Sequence, residues 1–529
     1  MLKIDEIKIS VDEKEPEKQL LSAAAKKLKV PKEKLGSLKI LRRSLDSRHK
    51  EDLRYVYSIA LSYQGNETKK LNSLKNKKIN KYIPPNCSLP PNTYNCPDRP
   101  VIIGAGPAGL FCGLVLAEQG LAPLIIERGK KVTERSQDVQ TFWQQGKLLP
   151  DSNVQFGEGG AGTFSDGKLN TGTRDPRHRR IIADFIQAGA PKEIAYLAKP
   201  HIGSDNLPGV VKNLRQRIEK AGGEFMFSTT LTDIIIEKGA VSRIAAKNNS
   251  GEFIMPCQCL VLAIGHSARD TYQLLYDKGL EIQPKPFSLG LRIEHKQKMI
   301  NQIQYGTDRL GAADYKLAVH LPNGRSVYSF CMCPGGLVVG AASEPEALVT
   351  NGMSPFNRDG ENANSALLVG VKPEDFPSKH PLAGMYWQRQ IEQECFRLGG
   401  SNYGTVCQKV ADFLAQQPSS TWGNVEPTYL PAVIPGDAGK ALPSCVSHSL
   451  REALPLLDNI MPGFACPDAL LTAAETRSSA PVRIVRNNKG QTTIGGIFPA
   501  GEGSGYAGGI MSAAADGMKI AEFILNFRK

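Results

Sequence analysis

Long apolar runs are missing from this 529-residue chain. No stretch approaches the ~20 consecutive apolar residues that a helix needs to cross a bilayer. The first residues lack the apolar core of a secretory signal. Cysteine is scarce, because eleven residues over this length lie far below the density of a disulfide scaffold. We therefore expect about two to four domains, no membrane span and a cytoplasmic location.

Two signatures of other enzyme classes are also absent. The histidines and cysteines show no metal-ligand spacing, so no metal is predicted. No G-x-S-x-G elbow marks the chain as a hydrolase.

Positive charge is unevenly distributed. Residues 1–82 contain 21 Lys and Arg against 11 Asp and Glu, a surplus of ten in a total of thirteen. Such a segment suits nucleic acid, an anionic surface or an acidic partner. Lysines interleave with acidic residues there, which favours a solvated face and disfavours nucleic acid without excluding it.

The strongest motif follows a short apolar strand at residues 101–103. Gly104, Gly106 and Gly109 form a G-x-G-x-x-G fingerprint at the start of a helical segment. The first glycine permits a tight turn, the second lets the backbone approach a pyrophosphate, and the third lets helix pack on strand. A second apolar strand, at residues 124–126, ends on Glu127, where a carboxylate can accept from ribose hydroxyls. Together, the first strand, the glycine motif, the helical segment, the second strand and the acidic residue at its end predict dinucleotide binding.

Two further glycine clusters lie far along the chain. Four of the six positions 157–162 are glycine, which suits a tight turn or close approach to a flat ligand. Residues 503–509 supply four more glycines directly before a final alanine-rich helix.

The pattern of elements predicts an α/β fold with a Rossmann-like binding domain of three layers, formed by a parallel sheet and a β-meander. A mostly-β substrate domain is inserted into it, and a small α+β domain precedes it. The predicted bounds are 1–64 for the N-terminal domain, 65–97 for a linker, 98–275 with 481–529 for the binding domain, and 276–480 for the substrate domain.

On these motifs the chain resembles two-motif flavoproteins with a glutathione-reductase-like FAD fold. Within that group it is similar to the FAD-dependent proteins also named NAD(FAD)-utilising dehydrogenases. The segments that carry the resemblance are 101–109, 156–169, 265–270, 330–336, 475–483 and 499–517.

The resemblance implies FAD as the cofactor and assigns residues to it. The pyrophosphate would lie on the first glycine motif, the adenosine near Glu127, Arg128 and Leu231, the ribityl chain at Gly501 and Glu502, and the flavin at the last helix. The full set is Gly104, Gly106, Pro107, Ala108, Gly109, Glu127, Arg128, Gly160, Ala161, Leu231, Gly265, Gly501, Glu502, Gly508, Gly509 and Ile510.

The chain departs from the nicotinamide-dependent disulfide reductases of that group. It has no second G-x-G-x-x-G after a strand within 170–480, and no C-x-x-C pair near the first helix of the binding domain. We therefore expect that NAD(P)H, if it is used, binds only transiently as an electron donor and has no separate binding domain.

Four residues are candidates for flavin chemistry. Lys168, beside the second glycine cluster, would touch flavin N5 or a substrate anion, or else be a surface lysine. His266 would be an acid/base or make a structural hydrogen bond to backbone. Cys331 and Cys333 would share a strand face as a redox pair, or simply pack, because a C-x-C disulfide is strained.

Arg477 and Arg483 are candidates for holding a substrate carboxylate or phosphate. The alternative for these arginines is partnering by Glu475.

The function predicted is an FAD-dependent oxidoreductase that transfers hydride between flavin N5 and a small organic substrate. A flavin-dependent RNA-modifying or RNA-binding protein, using residues 1–82, is the first alternative. A non-catalytic flavin redox sensor is the second. The sequence specifies neither the substrate nor the oligomeric state.

Overall fold

A computed structural model describes residues 1–84 and 89–528. The described residues form a mixed α/β protein in which a five-stranded parallel sheet and a seven-stranded sheet are the two largest sheets. No helix within these residues is long and apolar enough to cross a membrane.

The N-terminal part is a four-stranded sheet in the order β2-β3-β1-β4 with a helix against one face. Its elements are β1 (Leu2–Ser10), α1 (Pro16–Leu28), β2 (Leu35–Asp46), β3 (Arg54–Tyr63), α2 (Glu67–Leu74) and β4 (Ile79–Lys81). Alternate residues of β1 and β3 are buried against apolar residues of α1, which is the period-2 pattern of a half-buried sheet.

The segment 65–97 is not the irregular linker expected from its composition. It contains α2, which begins after Asn66, whose side chain accepts from the Lys69 backbone N–H. It also contains β4, which pairs antiparallel with β1. Composition hid both elements, because α2 has no buried residue and β4 is only three residues long. Residues 85–88 of the expected linker lie outside the described residues.

The parallel sheet has the order β23-β11-β5-β6-β7. Its elements and those packed on it are β5 (Val101–Ile103), α3 (Pro107–Glu118), β6 (Leu124–Ile126), α4 (Val132–Gln145), α5 (Arg177–Gln187), α6 (Leu207–Lys220), β7 (Glu224–Met226), β8 (Thr230–Glu237), β9 (Ala240–Asn248), β10 (Gly251–Pro256), β11 (Leu260–Leu262) and α7 (Arg269–Asp277).

Alternate strand residues divide this region into three layers. Ile102, Ile125 and Val261 pack with α3 and α6 on one side. Val101 and Leu124 face the antiparallel meander β8-β9-β10 and α7 on the other. Both faces are covered, which explains why these strands are uniformly apolar.

The next part is built on the sheet β14-β15-β18-β13-β21-β19-β20. Its elements are β12 (Ile282–Pro284), β13 (Phe287–Lys296), α8 (Gln297–Tyr305), β14 (Ala318–His320), β15 (Ser326–Cys333), β16 (Leu337–Gly340), β17 (Thr350–Met353), β18 (Asn362–Val371), α9 (Ala383–Leu398), β19 (Thr405–Lys409), α10 (Val410–Leu414), β20 (Val433–Pro435), α11 (Ser444–Ile460) and β21 (Leu470–Glu475).

The sequence suggested that this part is mostly β, but the structure contains long helices as well. Helices α9 and α11 are 16 and 17 residues long, and both pack into the core of this part. Helix α11 buries Val446, Leu450 and Leu457 at helical spacing, but Pro455 within it weakens the sequence signal.

The chain then returns to the first sheet. Its last elements are β22 (Val482–Ile484), β23 (Ile497–Pro499) and α12 (Ile510–Leu525). Strand β22 pairs with β12, β23 adds to the parallel sheet beside β11, and α12 packs on α3.

Candidate functional site

A cavity of about 350 Å³ lies at the carboxyl ends of the parallel strands β5, β6, β11 and β23. This is the edge at which open α/β sheets bind ligands. The predicted residues that line it are Gly104, Gly106, Pro107, Ala108, Glu127, Arg128, Gly160, Ala161, Lys168, Leu231, Gly265, His266, Cys331, Arg477, Glu502, Gly508, Gly509 and Ile510. The fold thus brings all three glycine clusters together.

The three fingerprint glycines serve different needs. Gly104 has φ +102°, and an added Cβ would lie 2.4 Å from the Ala263 carbonyl oxygen. A Cβ on Gly109 would lie 1.9 Å from the Gly104 carbonyl oxygen, so this glycine allows helix α3 to approach the strand. A Cβ on Gly106 would meet only the Cα of Gly160, at 3.8 Å, and otherwise opens on the cavity. These are the three roles the motif predicts.

Glu127 ends β6 and is buried at the cavity wall. Its carboxylate accepts from the backbone N–H groups of Ala105 (2.8 Å), Gly129 (3.0 Å) and Gly157 (2.9 Å). These bonds fix the side chain at the first turn and tie the second glycine cluster to the first.

Glu502 follows β23 and faces the same cavity. Burial raises the pKa of Glu502 to about 7, and the positive charge of Lys285 opposes that rise. Gly508 and Gly509 stand at the start of α12, where a Cβ on either would meet no atom within 4 Å. The free N–H groups and positive end of this helix therefore face open space.

The residues present fit an FAD. The cavity is open at glycines 106, 508 and 509, and two helices, α3 and α12, begin at its wall. Helix starts suit the pyrophosphate and the electron-rich edge of a flavin. The carboxyl oxygens of Glu127 and Glu502 would accept from the sugar and ribityl hydroxyls of such a ligand.

Lys168 lies at the far end of the cavity within a charged cluster. Its Nζ is 2.9 Å from Asp166, which is fully buried and also accepts two hydrogen bonds from Arg358. Its Nζ is also 3.9 Å from the Cys333 sulfur. Although burial opposes it, the charges of the two cysteines and Asp166 raise the pKa of Lys168 above its usual value. Lys168 is a cation of the cavity wall and not a surface lysine.

The two cysteines do not share a regular strand face. Strand β15 carries a bulge between Phe330 and Cys333, and Cys331 has φ +45°. As a result Cys331 lines the cavity while Cys333 is completely buried beside it. Both are free thiols.

His266 lies after β11 and lines the cavity. Its Nδ1 is 2.8 Å from the Ser267 hydroxyl, so its local partner is a side chain and not the backbone. Burial lowers the pKa of His266 to about 3, and Arg477 and Arg269 add to that effect. The imidazole is therefore neutral at physiological pH.

Arg477 is buried and already paired, but its partner is Glu392 of α9 and not Glu475. Two of its nitrogens donate to Glu392, at 2.9 and 2.7 Å, and Nη1 donates to Ser267 at 3.0 Å. Glu475 instead pairs with Arg292. Arg483 is exposed on β22, its guanidinium 5.3 Å from the Tyr506 ring centre, and does not line the described cavity.

Gly109 and Gly501 stand behind the cavity wall. The Gly501 N–H donates to Asp516 of α12 at 2.8 Å, which connects the end of β23 to the helix that packs on it. Both glycines thus support the site by packing.

Sequence reasoning missed the residues that hold the site through buried ion pairs, of which Asp166 itself lines the cavity. Asp166, Arg292, Arg358 and Glu392 are all part of the buried ion pairs described above. Asp166 lies in the glycine-rich segment that was singled out, and its position next to Lys168 was a usable signal. Arg292, Arg358 and Glu392 reach the site only through long-range packing. Among the described residues no group of three or more His, Cys, Asp and Glu is placed to hold a metal ion.

Two family models match the chain. Residues 286–478 match "FAD-dependent protein, C-terminal domain-like". Residues 1–62 match a domain of unknown function. The first match supports FAD as the cofactor.

The chain is also similar to individual proteins. An "Uncharacterized protein" of Clostridium beijerinckii is 44% identical over 531 residues, covering 99% of this chain and 98% of that protein. A digeranylgeranylglycerophospholipid reductase of Methanocella arvoryzae is 24% identical over 171 residues, covering 31% of this chain and 38% of the reductase.

Solved structures of other proteins align with most of the chain at low similarity. A geranylgeranyl bacteriochlorophyll reductase-like protein of Thermoplasma acidophilum is 13% identical with a TM-score of 0.36, covering 81% of this chain and 78% of that one. A flavin-dependent brominase variant is 14% identical with a TM-score of 0.35, covering 80% and 79%.

Proposed function

The chain belongs to the same family as the Clostridium beijerinckii protein and contains the C-terminal-like domain of FAD-dependent proteins; from this we propose that it is an FAD-dependent oxidoreductase. The reaction proposed is hydride transfer between flavin N5 and a small organic substrate. The observation that carries the proposal is the convergence of three glycine clusters, Glu127 and Glu502 on one cavity.

The two ends of the cavity differ in a way that suits this function. The end at β5 and α3 offers glycines and backbone N–H groups, which suit the pyrophosphate. The end at Lys168 and Cys331 offers charged and polar side chains from the loop that contains Lys168 and from strand β15. FAD supplies the redox chemistry when it is bound, and the protein orients substrate against it. We assign the substrate to the Lys168 end.

The charged residues at that end favour a substrate with an anionic or polar group. Lys168 is a cation that lines this end of the cavity. Arg477 also lines the cavity, but it is engaged by Glu392, so its role as an anion holder stays a prediction. His266 is assigned as a neutral hydrogen-bonding group, since its low pKa removes the imidazolium form.

The first experiment is to purify the protein, record its visible spectrum and titrate it anaerobically with NADH and then NADPH. A flavin band that bleaches with either one identifies a nicotinamide-linked reductase. A band that persists assigns the electron source to the substrate or to a protein partner. No flavin band, even after reconstitution with FAD, would contradict the proposal.

Steady-state turnover separates this proposal from a redox sensor. Oxidase or reductase activity well above that of free FAD supports an enzyme. A bound flavin without any such activity would favour the sensor.

A further inference from the structure

Cys331 lines the proposed flavin cavity and Cys333 is buried behind it, with two cations nearby. The Sγ atom of Cys333 is 3.6 Å from Arg292 Nη2 and 3.9 Å from Lys168 Nζ. Cys333 also donates to the Cys331 carbonyl oxygen at 3.3 Å. Neither cysteine is among the residues assigned to FAD.

The bulge in β15 is what brings the pair to this position. A regular strand would place residues 331 and 333 on one face, equally exposed or equally buried. One extra residue between Phe330 and Cys333, with φ +45° at Cys331, breaks that alternation. Non-glycine residues in this conformation cost free energy and concentrate at functional sites. Here the result is one thiol on the cavity and one directly behind it.

The surroundings favour a thiolate on the cavity side. The Cys333 thiol, by hydrogen bonding, and the charges of Lys168 and Arg292 hold the pKa of Cys331 well below its usual value. The same interaction raises the pKa of Cys333. One anionic and one protonated sulfur, held together, is the state from which a dithiol reacts.

We propose that Cys331 and Cys333 form a redox-active dithiol that exchanges two electrons with the bound flavin. In the oxidising direction an S–S bond forms between the two sulfurs, the pair releases two electrons and its protons, and the flavin is the acceptor. The reverse step breaks the S–S bond and restores the thiols at the expense of reduced flavin. Cys331 is the sulfur on the cavity side, where FAD would be bound, and Cys333 is its partner. This inference rests on the proposed function for its electron acceptor.

A disulfide between Cys331 and Cys333 would join residues only two positions apart, which is difficult on a regular strand. The bulge changes that geometry. Cα atoms two residues apart on an extended strand stand about 6.6 Å apart, near the upper limit for a disulfide. Cys331 departs from that extended geometry, with φ +45°, and the Cys333 sulfur lies 3.3 Å from the Cys331 carbonyl oxygen. A strained disulfide is also easily reduced, as an electron relay requires.

The test is an anaerobic titration of the air-oxidised, flavin-loaded protein with dithionite. The dithiol predicts two dithionite equivalents per flavin, one for the flavin and one for the disulfide. Cys331→Ser should take a single equivalent. Cys445→Ser, which removes an exposed cysteine of α11 away from the cavity, should still take two. A single equivalent in the unmodified protein would overturn the inference.

Peptide mapping provides a second readout that does not depend on turnover. In oxidised protein the peptide with Cys331 and Cys333 should resist alkylation until dithiothreitol is added. Free alkylation of both cysteines in oxidised, flavin-loaded protein would also overturn the inference. Failure of the proposed function looks different, because the flavin band itself would be missing; the same mapping after diamide treatment then tests the pair directly.

The role of Lys168 gives a further check. In reduced protein, iodoacetamide should label Cys331 rapidly below pH 8, and Lys168→Met should shift that pH profile upward by at least one unit. Cys445 in the same samples serves as the internal control. A profile for Cys331 that matches that of Cys445 would contradict the thiolate assigned here.

Discussion

At the scale of single residues, the three fingerprint glycines are chemically identical but structurally distinct. Two of them have backbone atoms where a side chain would stand, while Gly106 has open cavity. A methyl group therefore has opposite consequences at positions 109 and 106. The methyl group at position 109 is expected to lower stability, and the methyl group at position 106 is expected to weaken ligand binding.

Gly106→Ala should leave folding intact and weaken FAD binding at least tenfold. Gly106 has φ −77°, which alanine adopts freely, and the new methyl would contact only Gly160. It would occupy the space where the pyrophosphate approaches. The measurements are the ratio of flavin to protein and the thermal midpoint of the flavin-free protein.

Two variants control this experiment. Gly109→Ala should lower the free energy of unfolding by about 1–3 kcal/mol or more, because its methyl meets the Gly104 carbonyl. Gly209→Ala, in α6 with no atom within 4 Å of the added Cβ, should retain both flavin and stability. Full flavin content in Gly106→Ala would contradict the placement of the pyrophosphate.

Glu502→Gln should stabilise the flavin-free protein at pH 8 but not at pH 4. Burial raises the pKa of Glu502 from its usual 4.5 to about 7, so the folded state prefers the protonated carboxyl. The stability this group contributes is complete below pH 4.5 and is lost as the pH rises through about 7. The loss amounts to about 3 kcal/mol at 1.36 kcal/mol per pH unit.

Urea unfolding at both pH values measures this effect. Glu281→Gln, an exposed glutamate next to β12, is the matched control and should show no difference between the two. An equal effect of Glu502→Gln at pH 4 and pH 8 would show that its carboxyl is not perturbed in the folded protein.

The residue scale is also where sequence reasoning was most successful. The glycine motifs and Glu127 could be placed at the cavity because their positions depend on local backbone geometry, which neighbouring residues reveal. Their contacts with FAD stay a prediction. The partner of Arg477 could not, because Glu392 lies 85 residues earlier on α9. No local pattern distinguishes that glutamate from Glu394, two positions along the same helix.

At the scale of elements, helix α9 connects the two large sheets through one carboxylate. Glu392 is fully buried and accepts from Arg269, at the start of α7, and from Arg477, just after β21. Although burial opposes it, these two arginines hold the pKa of Glu392 well below its usual value. The charges of these two arginines also add to the effect of burial, which lowers the pKa of His266.

Glu392→Gln should lower the free energy of unfolding by about 3–5 kcal/mol, because it leaves two arginines buried with their main partner uncharged. Glu394→Gln removes the same charge from the surface of the same helix, where the partner is Arg397. Glu394→Gln should change the free energy of unfolding by no more than about 0.5 kcal/mol. Denaturant unfolding of both variants checks the prediction, and equal effects would contradict it.

Elements themselves were predictable where their periodicity was uninterrupted. The apolar strands at 101–103 and 124–126 were expected at the bounds that β5 and β6 have in the structure. Helix α11 was missed because Pro455 interrupts its pattern, and the bulge at Cys331 was missed because nothing in Cys-Met-Cys-Pro marks a positive φ. Tertiary packing decides both, so neighbouring residues carry little signal.

At the scale of the whole molecule, the N-terminal part is a separate core resting on the rest of the chain. Its buried residues, from Leu2 to Ile79, form a cluster of their own. Arg43 connects it to residues 196–198, because its N–H donates to the Tyr196 carbonyl at 2.7 Å and its guanidinium lies over the Tyr55 and Tyr196 rings. Such a contact positions a domain without being needed to fold it.

Residues 1–84 expressed alone should therefore unfold cooperatively, although with low stability, since a domain of this size buries a modest fraction of its surface. The remainder, from residue 89, should keep its flavin, because no residue before position 103 lines the described cavity. Circular dichroism of the short piece and the visible spectrum of the long one are the measurements. The pair also tests the RNA alternative: salt-sensitive RNA binding by residues 1–84, absent from the long piece, would favour it. A flavin-free long piece would instead show that the N-terminal part completes the binding domain, against the separation argued from its core.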